Sequence, residues 1–137
     1  MSDKKTLTFS LMDPPYENAR TTTALRIIDI AARRGYNINV FAYEGATAVP
    51  FTQQKAHANK VHGRSLEEED HPVTHEWVAA LFKAAEENGG KVDWVNCGLC
   101  VDERGVHETL PEIRRGTPGD LLNMSQASDN TLIIPTK

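Results

Sequence analysis

The chain has 137 residues, of which 25% are charged, and its 15 basic and 19 acidic side chains leave a net charge of −4. That length suits a single domain, 1–137, large enough to bury a real core. No apolar run approaches the roughly 20 residues of a membrane span. The start, MSDKKTLTFS, lacks the long apolar stretch of a secretory signal, and no lysine/arginine block is dense enough for a nucleic-acid footprint. The expectation is a cytoplasmic protein with no membrane and no direct nucleic-acid partner.

Residues 6–12 (TLTFSLM) form a short β-prone run, stopped by Asp13-Pro14-Pro15 because proline cannot continue a hydrogen-bonded ladder. From about 19 to 34 the pattern is helical. Leu25, Ile28 and Ala32 share one face, Ala24, Ile27 and Ala31 an adjoining one, and Arg26, Asp29 and Arg33 the polar side, with Gly35 as the stop. Residues 37–43 (NINVFAY) read as a second strand, apolar enough for the inside of a sheet. The stretch 46–73 is expected to be a long loop with some helical turns. It carries His57, His62, His71 and the acidic run 67–70, which are expected to be exposed loop histidines and a solvated face.

Helical spacing returns over 74–88, with Trp77, Leu81 and Ala84 on one stripe and Val78, Phe82 and Ala85 beside it. Residues 91–96 (KVDWVN) predict a third strand, which places Trp94, like Trp77, in the core or a subunit interface. Residues 112–115 fit a short extra strand. Thr117-Pro118-Gly119-Asp120 has the cap, first-turn proline and reaching acid of a helix start, and that helix should run to about 127. A last strand at 131–134 (TLII) completes an alternation of strands and helices. Such an order implies parallel crossovers, hence an α/β three-layer sandwich with a mainly parallel sheet.

The two cysteines, Cys97 and Cys100, follow the third strand as CGLC. In parallel sheets reactive groups gather beyond the carboxyl ends of the strands. With Asn96 as helix cap, Cys97 would sit at the first turn of the next helix, where unpaired N–H groups favour a thiolate. Cys100 falls one turn on, on the same face. Four readings of the pair stay open. Free cysteines pack well as small apolar residues. A structural zinc needs four ligands, and His71 and His75 are the best-spaced supplement. A CxxC at a helix start is the usual dithiol redox arrangement and needs both sulfurs. A sulfur carrier needs one thiolate, which takes a sulfane sulfur as a persulfide and yields it to an acceptor thiol.

The segment CGLCVDERGV resembles the cysteine segment of the DsrE/DsrF-like sulfur-relay family, in which a cysteine after a central strand is followed, at the spacing of Arg104-Gly105-Val106, by an Arg-Gly-aliphatic turn. Asp13-Pro14-Pro15-Tyr16-Glu17-Asn18 is similar to the family's proline-tyrosine loop, and Val40-Phe41-Ala42-Tyr43-Glu44-Gly45 to its second-strand ending. The resemblance implies a flavodoxin-like sandwich that assembles as trimers or hexamers of like or unlike subunits. It also implies a sulfurtransferase-type function like that of TusD/DsrE-like subunits, without a cofactor or metal. Cys97 is by carry-over the persulfide-forming position. The implied partners are an upstream sulfurtransferase donor and a downstream sulfur-acceptor protein.

Cys100 is an addition relative to TusD and leaves room for an internal disulfide. The stretch 46–73 is longer than in TusD and could cover the thiol. Tyr16 and Glu17 are candidate lining residues of the crevice. Arg104 could steady a persulfide, with a surface ion pair to Glu103 or Glu108 as its alternative role. The rival functions are a dithiol-disulfide oxidoreductase and a non-catalytic small-ligand or regulatory binding module.

Overall fold

The computed structural model of the protein describes residues 4–58, 60–69 and 73–136. Five strands, β1 (Thr6–Leu11), β2 (Asn37–Ala42), β3 (Val92–Cys97), β4 (Arg114–Gly116) and β5 (Asn130–Ile134), form one sheet in the order β4-β3-β2-β1-β5. Every pairing is parallel. The helices are α1 (Ala19–Arg33), a four-residue α2 (Leu66–Glu69), α3 (Thr74–Glu87), α4 (Gly98–Arg104) and α5 (Pro118–Gln126). A 3-10 helix, Glu44–Ala48, follows β2. The α/β class expected from the alternating pattern is thus the observed one, with the sheet wholly parallel.

Strand alternation sorts the side chains onto two faces. Phe9 and Leu11 of β1, Ile38, Val40 and Ala42 of β2 and Trp94 of β3 join Ala24, Leu25 and Ile28 of α1 and Val78, Leu81 and Ala85 of α3 in the main core. Phe41, Val95 and Cys97 instead join Met124 in a second cluster that packs against α5. The central strands are therefore apolar on both faces, as a buried parallel sheet requires.

Local signals set the element ends. Asn18 caps α1 by accepting from the Arg20 N–H at 2.7 Å. Thr117 and Asp120 form the reciprocal box that opens α5. A second reciprocal pair, Ser65 with Glu68, opens α2. The 46–73 stretch is less loop-like at its start than its composition implies. Thr47 and Val49 are fully buried, Phe51 bridges to Thr109, and the Thr52 N–H donates to the Glu108 carbonyl at 2.7 Å. Of the acidic run, Glu67 and Glu68 are exposed and Glu69 pairs with Arg64 at 3.2 Å, while Asp70 and His71 lie outside the described residues.

Candidate functional site at the carboxyl edge of the sheet

Because all strands run the same way, their carboxyl ends share one edge, and there the chain after β1, β2 and β3 converges. Cys97 is the last residue of β3 and also the cap of α4. The sequence reading gave that cap to Asn96. The structure moves it by one residue, because Asn96 is still in the strand with its side chain turned into the main core. There its Oδ1 accepts from Trp94 Nε1 at 3.0 Å and its Nδ2 donates to the Thr47 carbonyl at 3.2 Å. Helix α4 is seven residues long and ends at Gly105, whose φ of 65° is the left-handed turn that favours glycine.

Cys97 is 8% exposed and packs with Phe41, Val95 and Met124, with Tyr43, Leu121 and Cys100 alongside. It is thus more covered than the sequence reading expects of a reachable thiol. The alternation of β3 explains this: residue 97 points to the α5 face, where Met124 overlies it. Among the described residues the apolar side chains of this cover come from β2 and Tyr43 after it, from β3, and from α4 and α5, and none is from the 46–73 stretch that could have covered the thiol. Cys100 is the more open of the two.

The Cys100 sulfur accepts a hydrogen bond from the Glu44 N–H at 3.1 Å, and Cys100 packs against the cluster that holds Cys97. Burial pushes the Cys100 thiol up. The Glu44 N–H opposes that shift, while the neighbouring Cys97 thiol and the Glu44 carboxylate reinforce it. Glu44 presents its N–H from a left-handed backbone, φ 52°, which is strained for a residue with a Cβ. Its carboxylate lies 3.0 Å from Arg104, which also reaches the Glu103 carboxylate at 3.5 Å and the Cys100 carbonyl at 3.4 Å. The expected surface ion pair of Arg104 is present with Glu103, and Glu44 is its second carboxylate.

On the other side of α4, Arg115 grips Asp102 through both terminal nitrogens, at 2.8 and 2.5 Å. His107 Nε2 lies 3.2 Å from the same carboxylate. Arg115 first, then His107, hold Asp102 down at a pKa of about 2. The guanidinium lies so close to the start of α4 that a Cβ on Gly98 would come within 2.6 Å of Arg115 Nε. A glycine directly after Cys97 therefore allows a cation to lie beside the pair. Glu44, Gly98 and Arg115 were all missed as site residues in the sequence. The one available signal was the position of Glu44 at the end of a predicted strand.

An open crevice of about 550 Å³ lies beside this cluster, lined by Met12, Asp13, Pro14, Glu44, Gly45, Ala48, Arg104 and Thr136. Tyr16 and Glu17 are not among its described lining residues. The Tyr16 hydroxyl instead accepts from the Thr74 N–H at 3.3 Å. Asp13 is 6% exposed and is held below the usual carboxylate range, first by the Asn18 amide at 2.9 Å and then by Thr136, with Arg20 contributing. Among the described residues no three of the histidines, cysteines and acids come together to hold a metal. His75 bonds the Gln54 carbonyl at 3.1 Å. No described helix is long and apolar enough to cross a membrane.

A wholly parallel sheet, covered on both faces and carrying two neighbouring cysteines where its third strand ends, defines an α/β protein with a sulfur-containing carboxyl-edge site. The chain belongs to the DsrE/DsrF-like family, whose model matches residues 5–133, a family associated generally with sulfur relay through partner proteins. Among solved structures it is similar to the ychN protein from E. coli, at 16% identity and a TM-score of 0.70, covering 96% of this chain and 99% of that one. It is also similar to a conserved protein of unknown function from Bacteroides thetaiotaomicron, at 15% identity and a TM-score of 0.54, covering 95% of each chain. At such identities the likeness is one of fold. No curated protein matches the chain by sequence.

Proposed function

We propose that this chain is a sulfur-transfer protein of the cytoplasm that carries sulfane sulfur as a persulfide on Cys97. The observation that carries the reading is the placement of Cys97 at the carboxyl end of β3, beside a second thiol and near Arg115, in a chain of the DsrE/DsrF-like family. In loading, the Cys97 thiolate attacks the outer sulfur of a donor protein's persulfide, the Cys97–sulfur bond forms, and the donor sulfur leaves as a thiolate. In delivery, an acceptor protein's thiolate attacks that outer sulfur, and the electron pair of the broken bond returns to Cys97. No external oxidant or reductant is consumed. The partners are an upstream sulfurtransferase and a downstream acceptor, met by an oligomer of this fold.

The test is intact mass after incubation with a persulfide donor. The wild-type chain should gain one sulfur atom, located on the Cys97 peptide, and Cys97→Ser should gain none. Unchanged loading of Cys97→Ser would refute the assignment.

The placement of both thiols in the first turn of α4 and in one cluster favours one second reading, a dithiol-disulfide oxidoreductase. That reading requires reduction of insulin disulfides that disappears on loss of either cysteine. A carrier shows little such activity.

A further inference from the structure

We infer that the first half of α5, Pro118 to Asn123, is a gate over Cys97, hinged where the helix is fastened at Met124, and that it opens to admit a partner's sulfur. The purpose of the gate rests on the carrier reading; its existence does not. In both loading and delivery a foreign sulfur must come within bonding distance of the sulfur carried on Cys97. Yet Cys97 is 8% exposed and packs with Leu121 and Met124 of α5. The strands around it are fixed, because β2 and β3 are each paired on both sides. Helix α5 is the weakly held cover. It buries one residue, Met124, where α1 buries six and α3 five.

The fastenings of α5 are all at one end. The Met124 carbonyl accepts from the hydroxyls of Thr8 at 3.1 Å and Ser128 at 2.6 Å, and the hydroxyls of Ser125 and Thr131 are bonded at 2.9 Å. Among the described residues, Pro118 to Asn123 make no hydrogen bond or ion pair to any strand. The Asp120 carboxylate accepts instead from the Thr117 N–H within the helix's own first turn, and Arg114, which feels the Asp120 charge, is gripped by Asp93 at 2.8 and 2.9 Å. This unfastened end starts beside the sulfur, since Gly116, which leads into it, is the register partner of Cys97. A buried hydroxyl points the same way. Ser10 is the register partner of Phe41, so it faces α5, and it is fully buried with no hydrogen-bond partner among the described residues. It lies two residues nearer the carboxyl edge than Thr8, on the side of the unfastened half. An unpaired buried hydroxyl destabilises the closed arrangement, and lifting the helix returns it to water.

Iodoacetamide labelling of the Cys97 peptide reads the gate in two variants at the exposed helix start. Gly119→Ala stiffens the first turn without a clash, since an added Cβ meets only the Thr117 hydroxyl, at 3.4 Å. It should slow labelling about two- to fivefold. Thr117→Ala removes the side-chain half of the capping box and should speed labelling about fivefold. Each rate is repeated at low urea concentrations. Labelling through the gate rises with a shallow urea slope because little surface is uncovered, whereas labelling through whole-chain unfolding rises with the slope of the equilibrium melt. Rates unchanged in both variants, shifts of the same sign, or a slope equal to that of the melt each overturn the gate. Delivery of sulfur from persulfide-loaded protein to glutathione should follow the same order as labelling, and delivery indifferent to the two variants overturns the part of the gate in transfer. If the wild-type chain loads no sulfur, the carrier reading fails alone, because the labelling rates still decide whether α5 opens.

Discussion

The backbone N–H of Glu44 lies 3.1 Å from the sulfur of Cys100, although the two residues stand 56 positions apart in the chain. The contact exists because β2 and β3 are adjacent and parallel, so the residues that leave them meet at one edge. Its cost is the left-handed backbone at Glu44. Glu44→Gly should therefore leave stability within about 1 kcal/mol of wild type, since relief of the backbone offsets loss of an exposed ion pair. Glu44→Val, whose branched Cβ is disfavoured at positive φ, should cost about 1–3 kcal/mol. Urea midpoints of the two variants check this, and equal midpoints would show that the backbone at 44 stores no strain.

The Asp102 carboxylate sits in the fork of Arg115 and titrates at about 2, well below the ordinary 3.8. Its folded-state pKa is depressed, so the stability it contributes is present above the unfolded value and is lost as pH falls from about 4 to about 2. Arg115→Met should raise the Asp102 pKa toward the ordinary range, measured by a carboxyl NMR titration. It should also flatten the stability profile within that acid window. Gly98→Ala should act in the same direction, because its added methyl displaces the guanidinium from the start of α4.

Trp94 and Asn96 are neighbours on the core side of β3, and the indole N–H is the donor to the Asn96 Oδ1. Trp94→Phe removes that donor from a fully buried site and leaves a gap. The expected loss is about 2–4 kcal/mol, the sum of an unpaired buried acceptor and a small cavity. Chemical denaturation followed by far-UV circular dichroism measures it. A loss below about 1 kcal/mol would mean that the site closes around the smaller ring.

Met124 is the α5 side chain over Cys97. Met124→Ala should lower stability by about 2–4 kcal/mol and speed alkylation of Cys97 at fixed pH, because access is what the methionine limits. The peptide-resolved alkylation rate and a urea melt on the same variant separate the two effects. Faster labelling without a rise at Cys97 itself would show that the cover lies elsewhere.

The sequence by itself determined the α/β class and nearly every element, because alternation of 3.6-residue and strand-like apolar runs, with caps such as Thr117 and Asp120, is local information. It also singled out Cys97 and Cys100 as the pair after the third strand, and the family likeness followed from spacing around them. It misplaced the α4 cap by one residue, since nothing local says that the Asn96 side chain belongs to the core through Trp94 and Thr47. Only the tertiary structure decided what surrounds the sulfurs. The Glu44 N–H, the Arg115 guanidinium over Gly98 and the Met124 cover come from three other elements. Parallel strands bring residues far apart in the chain to one edge, and a contact made across strands leaves no periodic trace along the chain.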